Sequence, residues 1–273
     1  EEENEPKFAE KLAKLADVYV NDAFGTAHRK HASTYGVAKL LPNAMGFLIE
    51  KELKNITENI ENPKHPFVAV LGGSKVSDKI GIVNSFINSD CDSIVIGGAM
   101  AYTFLKAMGY KVGKSKVEKE YLKEVKTMLT NAEENGVNII LPMDHVVCDN
   151  IENPTIIENT DGVNIPENLI GVDIGKKTAK TFYKIIKKAK LVLWNGPMGI
   201  FETPEFSCGT KKVAKALAKC KGVTIVGGGD SAAAVINMGY SKKVTHVSTG
   251  GGASLKLFEG KVLPAIDIIQ NKN

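Results

Sequence analysis

An α/β fold, with a parallel three-layer sheet of the Rossmann-like kind and a partial second lobe, is predicted from two features of the chain. Short apolar runs alternate with longer amphipathic segments, and four of those runs end in glycine-rich turns. The apolar runs fall at 18–20, 67–71, 93–96, 139–141, 191–194, 223–226 and 245–248. Most are too short for helices, rich in Val and Ile, and bounded by Gly, Asn or Pro, as strands buried on both faces are. Helical spacing recurs between them. Tyr121, Val125, Met128, Leu129 and Ala132 keep one face apolar, and Gly136 stands where a C-cap is expected. Strand–helix alternation implies right-handed βαβ crossovers and a sheet of about six strands over 66–260.

The remaining segments suggest further parts. Residues 50–61 read as a polar helix ending at Asn62-Pro63, with Pro66 close behind, so 46–65 is expected to be an interdomain helix. Residues 1–45 would then belong to the second lobe. The stretch 262–269 is apolar, with Pro264 at its start, and a C-terminal segment 261–273 is expected to return to that lobe. The sequence starts without Met and almost inside a helix at 6–15, which points to a chain lacking a large N-terminal part. Such a remnant should expose apolar surface and be poorly ordered.

Composition excludes several classes. Hydrophobic content of 43% and charged content of 24% suit a globular core and argue against disorder. The net charge of +4 comes from scattered lysines with no basic block, so no nucleic-acid partner is expected. Cys91, Cys148, Cys208 and Cys220 form no C-x-x-C pair, which fits neither a zinc site nor a disulfide framework. No stretch approaches the ~20 apolar residues that span a bilayer, and the acidic start is unlike a signal peptide. A cytoplasmic protein without a membrane partner is expected.

The four glycine-rich turns are Gly72-Gly73-Ser74-Lys75, Gly97-Gly98-Ala99, Gly227-Gly228-Gly229-Asp230-Ser231 and Thr249-Gly250-Gly251-Gly252. In a parallel sheet all lie at the strands' carboxyl ends, where ligands of open α/β folds bind. Glycine lets backbone N–H groups approach an anion, and the helix that follows adds unpaired donors and a positive dipole end. Several such turns on one edge suit a polyphosphate. There is no G-x-G-x-x-G, so a nicotinamide dinucleotide reading lacks its fingerprint. Residues 109–115 resemble a P-loop but are one residue short and follow a helix-like segment.

Charged residues cluster at the same turns. Lys75 and Lys79, four apart at an expected helix start, share a face, and Asp78 could orient one of them. Asp230 and Ser231 suit a helix N-cap. They equally suit a magnesium-facing carboxylate and a phosphate donor. The segment from Trp194 to Glu202 combines a rigid Gly-Pro step with an acid able to accept ribose hydroxyls. His28 and His31 lack further ligands for a metal and read as structural. Arg29 is the better anion binder.

Taken in order, residues 17–29, 71–80, 96–105, 193–202, 224–234 and 244–260 resemble the motifs of the phosphoglycerate kinase family, over essentially the whole chain. The resemblance implies a glycolytic transferase with two lobes, one for the triose and one for Mg²⁺ with ADP or ATP, in a family of monomers. It implies Lys75, Gly229, Gly251 and Gly252 at the transferring phosphoryl, and Arg29 on 3-phosphoglycerate or 1,3-bisphosphoglycerate. It further implies Gly73, Ser74, Lys79, Gly98, Ala99, Gly171, Val172, Asn195, Pro197, Glu202, Gly228, Asp230 and Ser231 around the nucleotide, with Asp230 as the metal ligand. Lys116 departs from the leucine usual near the adenine. The lobe holding most of the family's basic triose cluster, including its transition-state arginine, begins before Glu1. The chain alone is therefore expected to bind nucleotide and turn over little, with a non-catalytic nucleotide-binding fragment as the alternative.

Overall fold

The computed structural model describes residues 1–270, so residues 271–273 of the expected C-terminal segment lie outside the described residues. The chain divides into two compact units, Pro63–Val247 and a second made of Glu1–Asn62 with the residues from Ser248 onward.

In the second unit, Pro6 at the first helical position and the Glu5 carboxylate, which accepts the N–H groups of Lys7 and Phe8, start α1 (Pro6–Ala13). β1 (Tyr19–Asn21) pairs in parallel with β2 (Asn43–Met45), separated by α2 (Val37–Leu40). α3 (Phe47–Glu61) is started by Asp22, whose Oδ1 accepts from Leu48 and Ile49 at 2.7 and 3.0 Å. Within residues 1–45, Phe24, Ala32, Val37 and Ala38 are buried, so the expected remnant has a core. It also exposes Leu15, Val18, Val20 and Leu40.

Within Pro63–Val247, the chain runs β3 (Phe67–Leu71), α4 (Ile80–Ile87), β4 (Ser93–Ile96), α5 (Met100–Ala107), α6 (Leu122–Glu134) and β5 (Asn138–Ile140). It continues through β6 (His145–Cys148), β7 (Ile157–Asn159), β8 (Ile170–Ile174), α7 (Lys176–Lys188), β9 (Leu191–Asn195), α8 (Cys208–Leu217), β10 (Val223–Gly227), α9 (Gly229–Asn237) and β11 (His246–Val247). Beyond it, α10 (Gly252–Phe258) and α11 (Pro264–Gln270) belong to the other unit. Six strands form one parallel sheet in the order β11-β10-β9-β3-β4-β5. From β3 the chain progresses outward one way to β4 and β5, and from β9 the other way to β10 and β11. The switch point therefore lies between β3 and β9, where Leu71 faces Asn195.

Alternate side chains reach opposite faces. Val68, Val70, Val192, Trp194 and Val226 pack under Phe182 and Ile186 of α7, Val213 and Leu217 of α8 and Val235 of α9. On the other face Phe67 meets Phe86 of α4 edge-on at 5.7 Å. Each such apolar side chain contributes about 1.5–3 kcal/mol when fully buried. Helices on both faces complete the three layers.

Three readings of the sequence need correction. The helix after Gly72-Gly73 starts only at Ile80, so Lys75 and Lys79 sit on a turn rather than on a helical face. β6, β7 and β8 form a separate antiparallel sheet in the order β7-β6-β8, which the sequence pattern did not suggest. β7 is exposed at every position, so no apolar alternation marks it. Finally, the lysines are not evenly scattered along the chain: seven fall within 176–190, and α7 exposes Lys176, Lys177, Lys180, Lys184, Lys187 and Lys188.

Candidate functional site

The turns after β3, β4 and β9 meet at the carboxyl edge of the large sheet and are tied by their own backbones, and the β10 end joins them through the side chains of Asn195 and Ser231. Gly72 N–H donates to Asn195 O at 2.9 Å, Gly73 N–H to Pro197 O at 2.9 Å, Gly98 N–H to Met198 O at 3.0 Å and Met100 N–H to Gly73 O at 3.1 Å. These approaches leave no room for side chains. A Cβ on Gly196 would lie 2.2 Å from Gly72 O. Gly228 has φ 91° and ψ 145°, a conformation nearly confined to glycine.

A cavity of about 470 Å³ opens at this edge, within the 300–1,000 Å³ typical of small-molecule sites. Of the residues expected from the sequence, Gly73, Ser74, Gly98, Ala99, Gly171, Val172, Pro197, Glu202 and Asp230 line it. Lys116, expected near the base, lines it too. A larger cavity of about 670 Å³ lies in the other unit, beside α3 and the residues around 257–267. It carries none of the glycine turns, so size alone does not mark the site.

The remaining expected residues separate into groups. Asn195 lies behind the cavity, 2% exposed, and its Nδ2 donates to Gly227 O at 2.8 Å. Its Oδ1 accepts from Lys79 Nζ. Lys75 is exposed on the turn that precedes α4. Gly229 opens α9, whose N-cap is Gly228 with no side-chain cap. Asp230 is thus in the first turn and not the cap that its sequence position suggested. Its carboxylate is exposed at the cavity rim. Ser231 is fully buried, and its Oγ accepts from Gly196 N at 2.6 Å, so it joins the β9 turn to α9.

Arg29, Gly251 and Gly252 belong to the other unit. There Arg29 Nε donates to His28 Nε2 at 3.3 Å, and a Cβ on Gly252 would come within 2.8 Å of that same nitrogen. Burial and the adjacent Arg29 charge lower the pKa of His28. His31 lies 3.9 Å from the Glu1 carboxylate. No group of three or more metal-ligating side chains occurs among the described residues, so neither histidine belongs to such a cluster.

The sequence reading missed Tyr102, Lys114, Ile151, Ile170, Gly199 and Ile200, all of which line the cavity. Tyr102 was accessible to it, since it follows Ala99 by one helical turn. Ile151 lies in the loop after β6 and Ile170 opens β8, and neither had a local signature. Behind Val172, the Asp173 carboxylate accepts Gly209 N–H at 2.6 Å and Ile174 N–H at 2.8 Å. Burial nevertheless pushes its pKa up to about 7.

For a nucleotide, the edge offers glycine backbone, an uncapped helix start, two ammonium groups and an acid beyond a Gly-Pro step. The exposed Asp230 carboxylate at the rim would suit Mg²⁺, which takes one or two protein carboxylates and fills its shell with phosphate oxygens and water.

The family described as phosphoglycerate kinase matches residues 1–261 of the chain. A phosphoglycerate kinase of Borreliella burgdorferi is 53% identical over 271 residues, 99% of this chain and 69% of its own length. One from Clostridium botulinum is 53% identical over 273 residues, 100% of this chain and 68% of its own. The solved phosphoglycerate kinase of Coxiella burnetii, 40% identical, superposes with a TM-score of 0.92 over 100% of this chain and 70% of that one. That of Pyrococcus horikoshii, 33% identical, gives 0.85 over 97% and 68%. Sequence and fold agree over almost the whole length, and the chain belongs to the phosphoglycerate kinase family, a family of ATP-binding phosphotransferases of glycolysis.

Proposed function

We propose that this protein moves a phosphoryl group reversibly between 1,3-bisphosphoglycerate and Mg-ADP, giving 3-phosphoglycerate and ATP, with the nucleotide in the cavity at the sheet edge. The observation that carries this reading is the convergence of four strand-ending turns on one cavity that has both Glu202 and Asp230 in its wall. Gly98, Ala99, Gly171 and Val172 would enclose the base, and Glu202 would accept from ribose hydroxyls. Lys79, Gly73, Ser74 and the start of α9 at Gly228 and Gly229 would face the phosphates, while Ser231, expected there from the sequence, is buried beneath them and holds the β9 turn through Gly196 N. Asn195 and Pro197 shape the same wall. Asp230 would hold Mg²⁺, which when bound neutralises phosphate charge. Lys75 would contact the phosphoryl in transfer. Within the other unit, Arg29 would bind the anionic triose and the Gly251 and Gly252 amides would serve as anion donors. Such transfer needs positioning and charge stabilisation rather than covalent catalysis.

This reading takes 66–260 as the nucleotide domain, 46–65 as a connecting helix and 1–45 with 261–273 as the triose side, although the compact units group 46–62 and 248–260 with residues 1–45. A cytoplasmic monomer is part of the same proposal. Among the described residues no helix is long and apolar enough to cross a membrane. A thermal-shift comparison tests the nucleotide assignment. Mg-ADP should raise Tm, ADP with a chelator should raise it less, and NAD should leave it unchanged. Stabilisation by NAD and not by Mg-ADP would overturn the assignment.

A further inference from the structure

The turn that carries Lys75 is not held by a helix, since α4 begins only at Ile80. One carboxylate holds it instead. Glu118 accepts the N–H of Val76 at 2.5 Å, the N–H of Ser77 at 3.2 Å and the hydroxyl of Ser77 at 2.7 Å. These are the two residues directly after Lys75. Val76 is fully buried, and its carbonyl accepts from Lys79 N at 2.8 Å. The turn is thereby fixed from Val76 to Lys79, directly after Lys75.

Glu118 is itself anchored to the nucleotide cavity. Its N–H donates to Thr103 Oγ1 at 3.2 Å, and Thr103 is buried on α5. Three residues earlier, Ser115 Oγ accepts from Gly171 N at 2.9 Å, and Lys114 N donates to Leu169 O at 2.8 Å. Lys114, Lys116 and Gly171 are cavity walls. The segment 114–118 thus touches the expected base pocket at one end and the lysine turn at the other. Partial burial would raise the pKa of Glu118, but the Ser77 hydroxyl, the two N–H donors and the nearby Lys116 outweigh it and keep the pKa below the usual range. The carboxylate is therefore ionised at neutral pH, when it accepts most strongly.

We propose that Glu118 is a positioning residue for phosphoryl transfer: its carboxylate sets the turn that aims Lys75 and couples that turn to the wall of the nucleotide cavity. This rests on the reading of Lys75 as a phosphoryl contact. Glu118 touches neither substrate nor reacting atoms, and it acts through the Val76 and Ser77 backbone.

The test compares Glu118→Ala, Glu118→Gln and Lys75→Ala in the full-length protein. It measures kcat, KM for ADP, and amide hydrogen exchange at Val76 and Ser77 without nucleotide. Glu118→Ala should lower kcat by about tenfold to 100-fold, the range that a misplacement of ~1 Å costs. KM for ADP should stay within about threefold, because binding contacts remain. Exchange at Val76 and Ser77 should rise by about tenfold or more as the turn opens. Glu118→Gln keeps one acceptor oxygen and should recover part of the lost kcat. A kcat within twofold of the parent in Glu118→Ala, or a partial loss of kcat and ADP affinity in equal proportion, would reduce Glu118 to a structural brace and overturn the proposal. If Lys75→Ala leaves turnover intact, the site assignment itself fails. If Lys75→Ala abolishes turnover while Glu118→Ala does not affect it, only the positioning role fails.

Discussion

The side-chain amide of Asn195 accepts from the Lys79 ammonium through Oδ1 and donates through Nδ2 to the carbonyl of Gly227 at 2.8 Å. One buried residue at the end of β9 thus joins the turn after β3 to the end of β10, across the switch point of the sheet. Through Lys79 it reaches a group that would face phosphate, and through Gly227 O it holds the end of the strand that leads into α9.

Asn195→Ala should cost both stability and affinity. Gly227 O would lose its side-chain donor in a buried setting, a loss worth about 1–3 kcal/mol. Lys79 would lose the partner that pre-sets its position, and ADP affinity should fall about threefold to tenfold from the added ordering cost. Urea unfolding and calorimetric titration with Mg-ADP measure the two effects. Unchanged ADP affinity would show that Lys79 needs no pre-setting.

Asp173 should give the fold a pH dependence. Its pKa is raised by burial from 3.8 to about 7, against the opposing pull of the Gly209 and Ile174 N–H groups. Below the lower value the carboxyl is protonated in both folded and unfolded chains and contributes nothing. Between the two values the unfolded chain ionises first, so the folded state loses stability as pH rises, by up to about 1.4 kcal/mol per pH unit. Above the upper value this contribution is flat. Asp173→Asn removes the titration and should flatten the slope between about pH 5 and about pH 7, read from urea midpoints. Equal slopes in the two proteins would show that Asp173 stays ionised in the fold.

Lys75→Ala should separate transfer from binding. In the full-length protein kcat should fall by about 100-fold or more, the size of effect that loss of one transition-state charge contact produces. ADP affinity should change little, because Lys75 lies outside the wall of the cavity. Parallel kinetics and titration decide the matter, and equal loss of both would make Lys75 a simple binding group.

Much of this site was legible before any coordinates. Gly98-Ala99, Gly73-Ser74 and Asp230 could be read because a glycine turn at a strand's end has a local cause, close backbone approach, whereas Gly171-Val172, inside β8, came only from the family resemblance. Asp230 could not be assigned its helical position, because Gly228 and Asp230 both satisfy the local rules for a helix start and only the φ of 91° at Gly228 selects between them. The helix after Gly72 was set too early for a similar reason. Residues 75–79 allow a helix locally, but Glu118 captures the Val76 and Ser77 amides and holds a turn instead.

The sequence by itself determined the six strands of the large parallel sheet and the edge on which the glycine turns after β3, β4 and β10 collect, because strand burial and turn chemistry are short-range properties. Tertiary structure alone decided that Glu118 would meet Val76 across 42 positions of sequence and that Asp173 would meet Gly209 across 36. Such meetings carry no period or motif. They follow from which loops the sheet order makes neighbours, and that order is a property of the whole packed core.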